Sequence, residues 1–389
     1  MDQDEMDAAI KVYFSMGLTY KDIINVMAIE HGVVISLRHL KRMLRQMGLF
    51  RRKNYSNIGD LIDFVQSQIA NSGQLHGYRW MYEKCLAHNL HCKKEDIRVI
   101  LGILDSEGTA QRRKRRLLRR SYSSKGPDYV WHIDGYDKLS RYGICISGCV
   151  DGFSRRVMWL NAYYTNSDPK IIGGYYLEVV ESLGGCPRLV RGDAGTENIY
   201  VRDIQRFLRL DNDDAMAGYN SYMEGRSTAN QRIEYWWSFL RRECTDYWIR
   251  LFRRLLDQGD FSGTFLDVNL MQFCFMHVIQ DELDSIMEIW NRHLIHPSRN
   301  ANSPSGRPDV LYHMPELYGT ISYLCEVPSH QTAVCKEECS FRGPVPCDRD
   351  VYDLSCMVMK ENRYQYPNDS DSAVFLYLEL RRTISAAIV

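Results

Sequence analysis

The sequence lacks the features that would place it in a membrane or outside the cell. It contains no uninterrupted apolar run of the length that crosses a bilayer, which is about 20 residues. It begins with an acidic segment, MDQDEMDAAIKVYF, instead of the basic and then apolar order of a secretory signal. Its 12 cysteines include no Cys-x-x-Cys pair, and Cys335, Cys339 and Cys347 do not have the spacing of a zinc ribbon. We therefore expect an intracellular protein with reduced thiols, and whether the C-terminal cysteines bind zinc stays open.

A net charge is also lacking, but the balance is uneven along the chain. The 389 residues contain 49 Lys and Arg and 49 Asp and Glu. Residues 1–125 hold 22 basic and 13 acidic side chains, whereas the remaining residues hold 27 and 36. A basic front half joined to an acidic rear half indicates that the front half meets a polyanion. The length predicts two or three domains.

Residues 1–56 are predicted to form a small helical unit. Thr19 can cap a helix that continues to about Glu30, and Ser36 can cap a second helix that ends before Gly48. The second helix places apolar residues at helical spacing on one face and basic residues on the other. Such a pair of short helices is typical of a helix-turn-helix that binds DNA, although a helical hairpin with a solvated basic face has the same pattern. The candidate DNA-binding residues are Arg38, Lys41, Arg42 and Arg45.

A second small helical unit is expected over residues 57–110, followed by a basic linker over 111–127. Seven Arg or Lys residues occur among positions 112–120. A run of like charges this dense cannot pack into a core. It is therefore either a solvated linker or a strap that binds phosphates. It is also compatible with a nuclear-localisation signal, so we expect a nuclear protein. The candidate phosphate-binding residues are Arg112, Arg113, Lys114, Arg115 and Arg116.

The pattern changes at Tyr129, where three segments rich in β-branched and aromatic residues predict three adjacent strands. Helices and strands then alternate, which predicts an α/β fold with a mixed sheet flanked by helices for residues 128–300. Residues 301–389 begin with many Pro, Gly and Ser residues, and we expect an irregular region there with short strands and one small last helix. Helices are expected near 168–183, 201–210, 228–256 and 268–292.

Three acidic residues stand where one sheet can bring them together. Asp134 lies inside an otherwise apolar strand, where an uncompensated charge is costly. Asp193 ends another strand, and Glu234 lies near the start of an amphipathic helix. Converging carboxylates can hold two divalent cations about 3.5–4 Å apart, which activate a nucleophile and offset the charge that develops on a phosphodiester. We regard these three residues as candidate catalytic and metal-binding residues, with two Mg²⁺ or Mn²⁺ ions as cofactors.

At these residues the chain resembles the retroviral-type integrase core and the related DDE transposases, which have a ribonuclease-H-like fold. Trp131-x-x-Asp134 resembles the first strand of that family, and Val-Asp-Gly-Phe-Ser-Arg at 150–155 resembles its next strand and turn. Asp193-x-Gly195 resembles the segment with the second catalytic Asp. Gln-Arg-Ile-Glu at 231–234 resembles the Gln-x-x-Glu that carries the final acid. The resemblance covers about residues 125–300.

The resemblance implies metal-dependent cleavage and joining of DNA, with element ends and a target duplex as partners and at least a homodimer as the working form. The chain departs from the family in two ways. Forty residues separate Asp193 from Glu234, more than the usual retroviral interval, and the zinc-binding His-His-Cys-Cys front domain is missing. A domesticated, integrase-derived protein that binds nucleic acid without catalysis is the alternative, and a plain ribonuclease-H-type nuclease ranks last.

Other polar residues near the three acids are expected to have simpler roles. Glu224 is the rival for the third acid. Glu197 and Asp137 are expected to be solvated or to act indirectly, and Asp151 to cap a turn. Contacts with a DNA phosphate, or with a water bound to metal, are as plausible as a purely structural role for Arg226, Asn230 and Gln231.

Overall fold

The computed structural model describes residues 2–51, 53, 55–71, 73, 76–105, 122–225, 230–297 and 304–388. The predicted strap, which comprises Arg112, Arg113, Lys114, Arg115 and Arg116, lies outside the described residues, and so does Arg226. The expectations for these positions therefore stay predictions.

The described part of the chain before residue 106 is helical, as expected. The Thr19 hydroxyl accepts a hydrogen bond from the backbone N–H of Asp22 at the start of the second helix. The Ser36 hydroxyl does the same for His39 at the start of the third. These caps satisfy N–H groups that have no partner inside the helix, which fixes where each helix begins. The helices are Gln3–Ser15 (α1), Tyr20–His31 (α2), Leu37–Gln46 (α3), Ile58–Ala70 (α4), Tyr78–Ala87 (α5) and Lys94–Leu104 (α6).

Helix α3 separates apolar from basic side chains as its sequence predicts. Leu40 and Met43 are buried in a small core that also contains Ile23 of α2. The same core includes Val310 and Met314, so the first three helices pack against a segment nearly 300 positions away in the chain. The basic side chains are exposed, and they are Arg38, Lys41, Arg42 and Arg45.

A mixed five-stranded sheet forms the centre of the molecule, in the order β3-β2-β1-β5-β6. Strands β1, β2 and β3 are antiparallel neighbours, and β5 and β6 run parallel to β1. The three adjacent strands and the mixed sheet that the sequence predicts are therefore confirmed. The strands are Trp131–Tyr136 (β1), Cys145–Asp151 (β2), Val157–Tyr163 (β3), Val190–Gly192 (β5) and Tyr222–Glu224 (β6).

The register between β1 and β5 bears directly on the acids. Trp131 lies opposite Val190, and His132 lies opposite Arg191. Continued by two residues beyond His132 and Arg191, the same register places Asp134 level with Asp193. Residues opposite each other on parallel strands face the same side of a sheet, so the topology brings these two acids to one place.

Helices cover both faces of the sheet. One core lies between the sheet and helices α7 and α8, and it contains Trp131 and Ile133 of β1. A second core lies between the opposite face and helices α9, α10 and α11, and it contains Tyr136 of β1. The helix predicted over 228–256 is in fact two helices joined by a π-helical turn, Arg241–Thr245. The helices are Pro169–Leu183 (α7), Ile199–Leu208 (α8), Gln231–Leu240 (α9), Asp246–Asp257 (α10), Phe265–Arg292 (α11) and Pro308–His313 (α12).

The second helical unit docks on this π-helical turn. The His76 ring, just before α5, makes a hydrogen bond to the backbone carbonyl of Glu243. Trp80 of α5 packs edge-on against Phe239 of α9, with ring centroids 4.9 Å apart. The helical front part of the chain is thus in direct contact with the helix that carries Glu234.

The expectation of an irregular region over 301–389 is wrong. Helices dominate the described part of this region beyond α12. It also contains a two-residue strand, Cys325–Glu326 (β7), which pairs with Gly185–Cys186 (β4). Its β-branched and aromatic residues suggested strands, but packing against α11 overrides that local preference. The helices are Ser329–Glu338 (α13), Arg349–Asn362 (α14) and Ser370–Ile388 (α15). The side chains of α15 in the core with α11 recur at helical spacing and are Ala373, Leu376, Tyr377, Leu380 and Ile384.

Candidate active site

Asp134 projects from the centre of β1 toward helix α9. The indole N–H of Trp237 donates a hydrogen bond to its Oδ2 at 2.8 Å. The pKa of Asp134 is raised to about 7, mainly by burial and in part by the negative charges of Glu234 and Asp193, and the Trp237 hydrogen bond opposes this increase. Ionisation of a carboxyl group in this position is unfavourable, because the group is desolvated and has like charges nearby.

Asp193 directly follows β5, where the chain turns. Its Oδ1 accepts hydrogen bonds from the side-chain amide of Asn198 at 2.8 Å and from the backbone N–H of Gly195 at 3.3 Å. These two donors lie on the turn itself, so the turn geometry fixes the direction of the carboxylate. The sequence prediction that Asp193 ends a strand is confirmed.

Glu234 lies in the first turn of α9 and is half-buried. Its backbone N–H donates to the carbonyl of Asn230 at 3.2 Å, so the entry of the helix sets its position. Partial burial raises the pKa of Glu234, and the charge of Asp193 adds to the increase, while Lys138 lowers it. The predicted placement near a helix start is confirmed.

The three predicted acids therefore share one electrostatic neighbourhood. The negative charges of Asp193 and Glu234 raise the pKa of Asp134, and the charge of Asp193 also raises the pKa of Glu234. Their oxygens are the hard donors that Mg²⁺ prefers, and the raised pKa values mark uncompensated negative charge that a cation would offset. The side chains are not drawn into a ligand shell, since the described residues contain no group of three or more His, Cys, Asp or Glu close enough to hold a metal ion. The three carboxylates therefore fit a divalent cation in donor chemistry and charge, whereas their spacing is not that of a closed ligand shell.

The secondary acids have distinguishable surroundings. Glu197 is half-buried, and burial together with the charges of Asp193 and Asp137 raises its pKa. Asp137 accepts a hydrogen bond from the Asn166 side-chain amide at 3.0 Å. Glu224, the rival third acid, forms an ion pair with Arg202 across 3.3 Å at the end of β6. Glu224 is thus engaged with Arg202, whereas Glu234 is the acid whose charge acts on Asp134 together with that of Asp193.

Asp151 has the structural role that its sequence context predicts. Its carboxylate is fully buried and accepts hydrogen bonds from the backbone N–H groups of Asp128, Phe153 and Ser154 and from the Ser154 hydroxyl. Burial raises its pKa to about 7, with the charge of Asp128 adding to the shift. Asp151 thus caps the turn that links β2 to β3.

Sequence reasoning missed several polar groups that contact the acids or the strands beneath them. Trp237 lies three residues after Glu234, which places both on one side of α9, but the sequence does not show that its N–H donates to Asp134. The Tyr222 hydroxyl lies against Gly192 beside Asp193 and has no hydrogen-bond partner among the described residues. His132, two residues before Asp134, is fully buried, and burial lowers its pKa to about 3, so its ring is neutral. No periodicity or motif marks these roles, because they depend on contacts between distant segments.

The mixed sheet has acids at three places: on β1, directly after β5, and on α9, the helix that follows β6. This is the arrangement of a ribonuclease-H-like α/β domain. Residues 121–312 match the family model described as the integrase core domain. This segment is therefore a retroviral-type integrase core domain. No curated protein matches the chain.

The matched segment extends beyond residue 300, where the sequence had suggested that the core ends. Helix α12 explains the extension, because the Tyr312 hydroxyl donates a hydrogen bond to Asp128 at 2.7 Å. Asp128 also accepts from the indole N–H of Trp131 at 3.0 Å. The segment around α12 is thus attached to the start of β1.

Proposed function

We propose that the protein is a metal-dependent polynucleotidyl transferase that cuts DNA strands and joins them to a target duplex. Asp134, Asp193 and Glu234 would hold two Mg²⁺ or Mn²⁺ ions and serve as the catalytic carboxylates. The observation that carries this proposal is the convergence of three like charges on one side of the sheet, where the pKa of Asp134 is raised to about 7. Membership of the integrase core family supports it, since that family has integrase- and transposase-type activity.

The chain's own groups would prepare this site in defined ways. Trp237 holds one oxygen of Asp134, and Asn198 with Gly195 holds one oxygen of Asp193. Such contacts fix carboxylate directions before any ligand arrives, which lowers the reorganisation that binding requires. The bound ions would supply an activated water or 3′-hydroxyl and would offset charge on the attacked phosphate. Because Asp134 must lose its proton to bind a cation, affinity should rise as the pH increases through about 7.

The direct test uses the purified full chain, Mg²⁺ or Mn²⁺, and duplexes that carry the cognate element ends. Asp193→Asn and Glu234→Gln should each lower the rate of strand cleavage by at least about 10³-fold, since metal-ion stabilisation is worth several kcal/mol. Glu224→Gln is the matched control because Glu224 is paired with Arg202, and it should cleave as the parent does. If the Asp193 and Glu234 variants cut at the parental rate, the assignment is wrong.

A second function is favoured by one observation. The described residues contain no ready metal-binding group, as expected for a domesticated descendant that binds nucleic acid without cutting it. Calorimetric titration with Mn²⁺ separates the two functions. Heat that is present in the parent and lost in Asp193→Asn supports the enzyme, whereas the absence of any carboxylate-dependent heat supports the protein that only binds.

The DNA would be held by the front part of the chain. The exposed basic face of α3 supports this, because its side chains project away from the core formed with α2. We propose that α2 and α3 act as a helix-turn-helix and that residues 112–116 bind phosphates. The docking of α5 on the helix that carries Glu234 would then link bound DNA to the carboxylates.

Two further properties complete the proposal. Joining two DNA ends requires two copies of the site, so we propose a homo-oligomer of at least two chains, which sedimentation analysis would test. The basic run over 112–120 supports a nuclear location, and fluorescence microscopy of a tagged chain with and without that run would test it. In the part of the chain that the structure describes, no helix is long and apolar enough to cross a membrane.

A further inference from the structure

A chain of hydrogen bonds connects β1 to the residue that precedes α9. The Tyr122 hydroxyl is 2.7 Å from Nε2 of His132, and Nδ1 of His132 is 2.6 Å from Oδ1 of Asn230. The side-chain amide of Asn230 then donates to the backbone carbonyl of Ile133 at 2.8 Å. We call Tyr122, His132 and Asn230 the relay.

The direction of every hydrogen bond in the relay follows from its last acceptor. The carbonyl of Ile133 can only accept, so the amide nitrogen of Asn230 faces it and Oδ1 faces His132. Nδ1 of His132 must therefore carry a proton, and Nε2 of the neutral ring accepts from the Tyr122 hydroxyl. His132 and Asn230 are only 1% and 2% exposed, so breaking any of these bonds would leave a buried polar group unpaired.

The two ends of the relay lie next to two of the acids. Ile133 immediately precedes Asp134 on β1. Asn230 is the cap residue of α9, and its backbone carbonyl accepts the N–H of Glu234. The Asn230 side chain makes no capping hydrogen bond to the helix that it starts, so it is used for the relay instead. The relay thus joins the backbone that carries Asp134 to the backbone that carries Glu234.

A neighbouring contact braces the relay. The Arg232 guanidinium lies 4.1 Å from the centre of the Tyr122 ring, and its Nε donates to the Gly152 carbonyl at 2.9 Å. A side chain at position 152 would collide with the Tyr122 hydroxyl and with Val130, so the close packing at this point needs glycine. Tyr122 is therefore held between the first turn of α9 and the end of β2.

We propose that Tyr122, His132 and Asn230 are positioning residues that set the separation between the carboxylates of Asp134 and Glu234. This inference rests on the proposed function, because that separation matters for a shared pair of cations. Groups that orient the ligands of a metal without touching it typically change affinity or activity by about 10- to 100-fold when they are lost. The relay would act in this way through the backbone of β1 and α9.

The first test compares Tyr122→Phe with Tyr129→Phe in the full chain. Tyr129 lies in the same segment, but its ring packs against Tyr323 and it is outside the relay. Tyr122→Phe should weaken Mn²⁺ binding about 10-fold, as measured by calorimetry, and lower kcat for strand cleavage by a similar factor with unchanged KM for DNA. Tyr129→Phe should change neither. Parental Mn²⁺ affinity in Tyr122→Phe would overturn the inference.

A second variant separates the relay from simple helix capping. The Asn230 side chain makes no capping hydrogen bond, so Asn230→Asp removes no cap from α9, and a negative charge at the helix start is favourable. Asp still accepts from His132 but cannot donate to the Ile133 carbonyl, so the relay is cut. Mn²⁺ affinity should then fall about 10-fold even though a negative charge has been added nearby. Affinity equal to or above that of the parent would contradict a positioning role.

A metal-free measurement distinguishes failure of the relay from failure of the proposed function. Hydrogen exchange of the amides in the first turn of α9, including Glu234, should be faster in Tyr122→Phe than in Tyr129→Phe when no cation is present. Equal exchange in the two variants would overturn the relay whatever the enzyme does. Faster exchange in a chain whose Mn²⁺ heat does not depend on Asp193 would support the relay and reject the proposed metal chemistry.

Discussion

Two charged regions of the molecule are built in opposite ways. On β1 and α9, Asp134 and Glu234 are partly buried and close to a third acid, and their pKa values are raised. On α3, basic side chains stand exposed above the apolar residues Leu40 and Met43. The first region keeps like charges together out of water, where salt screens them weakly, whereas the second offers charge to a partner from solution. Burial thus distinguishes the proposed site of chemistry from the proposed surface for a polyanion.

The largest expected effect is on kcat, which substitutions at the acids should lower and substitutions on α3 should leave nearly unchanged. Asp134→Asn should lower kcat for strand cleavage by at least about 10³-fold, because it removes one of the three carboxylates that would hold the ions. Replacing Arg38, Lys41, Arg42 and Arg45 together with Ala should raise KM for DNA and leave kcat within about threefold, because α3 packs in a different core from the helix that carries Glu234. Steady-state kinetics on one duplex measures both. A large loss of kcat in the α3 variant would break the comparison.

The next effect concerns salt. Binding through phosphate contacts releases counterions, so the logarithm of affinity falls with the logarithm of salt concentration by about 0.9 for each contact. The same four substitutions on α3 should flatten that slope by about 3–4. Fluorescence anisotropy between low and moderate salt would measure it. A steep slope that survives the substitutions would mean that α3 does not bind the backbone of DNA.

The basic run allows a similar measurement for a segment outside the described residues. Substitution of Arg112, Arg113, Arg115 and Arg116 by Ala should also flatten the salt slope by about 3–4 if all four bind phosphates. An unchanged slope would identify the run as a linker only. Gln111→Ala provides a control that leaves the charge of the segment unaltered.

A smaller effect appears in stability. The folded-state pKa of Asp134 rises from 3.8 to about 7, so the folded chain binds more protons than the unfolded chain in this window. The free energy of unfolding of the metal-free protein should therefore decrease as the pH rises from about 4 to about 7. Asp134→Asn cannot ionise and should be more stable than the parent at pH 8 by about 2–4 kcal/mol. Denaturant unfolding at pH 4 and pH 8 tests this, and equal stability at pH 8 would contradict the raised pKa.

The smallest expected effect comes from Trp237. Its indole N–H holds the pKa of Asp134 below the value that burial alone would give. Trp237→Phe keeps most of the buried ring and removes the donor, so the pH at which Mn²⁺ binding is half-maximal should rise by about 1 unit. Trp236→Phe is the matched control on the same helix. No shift in the Trp237 variant would show that the hydrogen bond does not tune Asp134.

The parts of the fold that could be predicted are those with local signals. Short stretches of sequence are sufficient to predict the caps Thr19 and Ser36, the strands after Tyr129 and the acids in their motifs. The secondary structure of the C-terminal helices was not predictable in this way, because α15 is stabilised by contact with α11 more than by its own composition. Tertiary packing of this kind overrides weak local preference.

The candidate site divides along the same line. Asp134, Asp193 and Glu234 were identified from their motifs, and the structure brings them into one neighbourhood. The relay was not identified, since His132 and Asn230 are 98 positions apart and only their contact reveals the role. The ring of Trp237 packs in the core, as expected of a large aromatic side chain on an amphipathic helix, but the hydrogen bond from its N–H to Asp134 is evident only from the structure. Long-range partners cannot be read from one sequence, because no local pattern records them.

Anomalous diffraction from crystals soaked in Mn²⁺ tests the central claim most directly. If the three carboxylates hold two ions, we expect two peaks about 3.5–4 Å apart, each about 2.0–2.2 Å from carboxylate oxygens of Asp134, Asp193 or Glu234. Peaks that appear only at other positions, with these three carboxylates left without a cation, would contradict it.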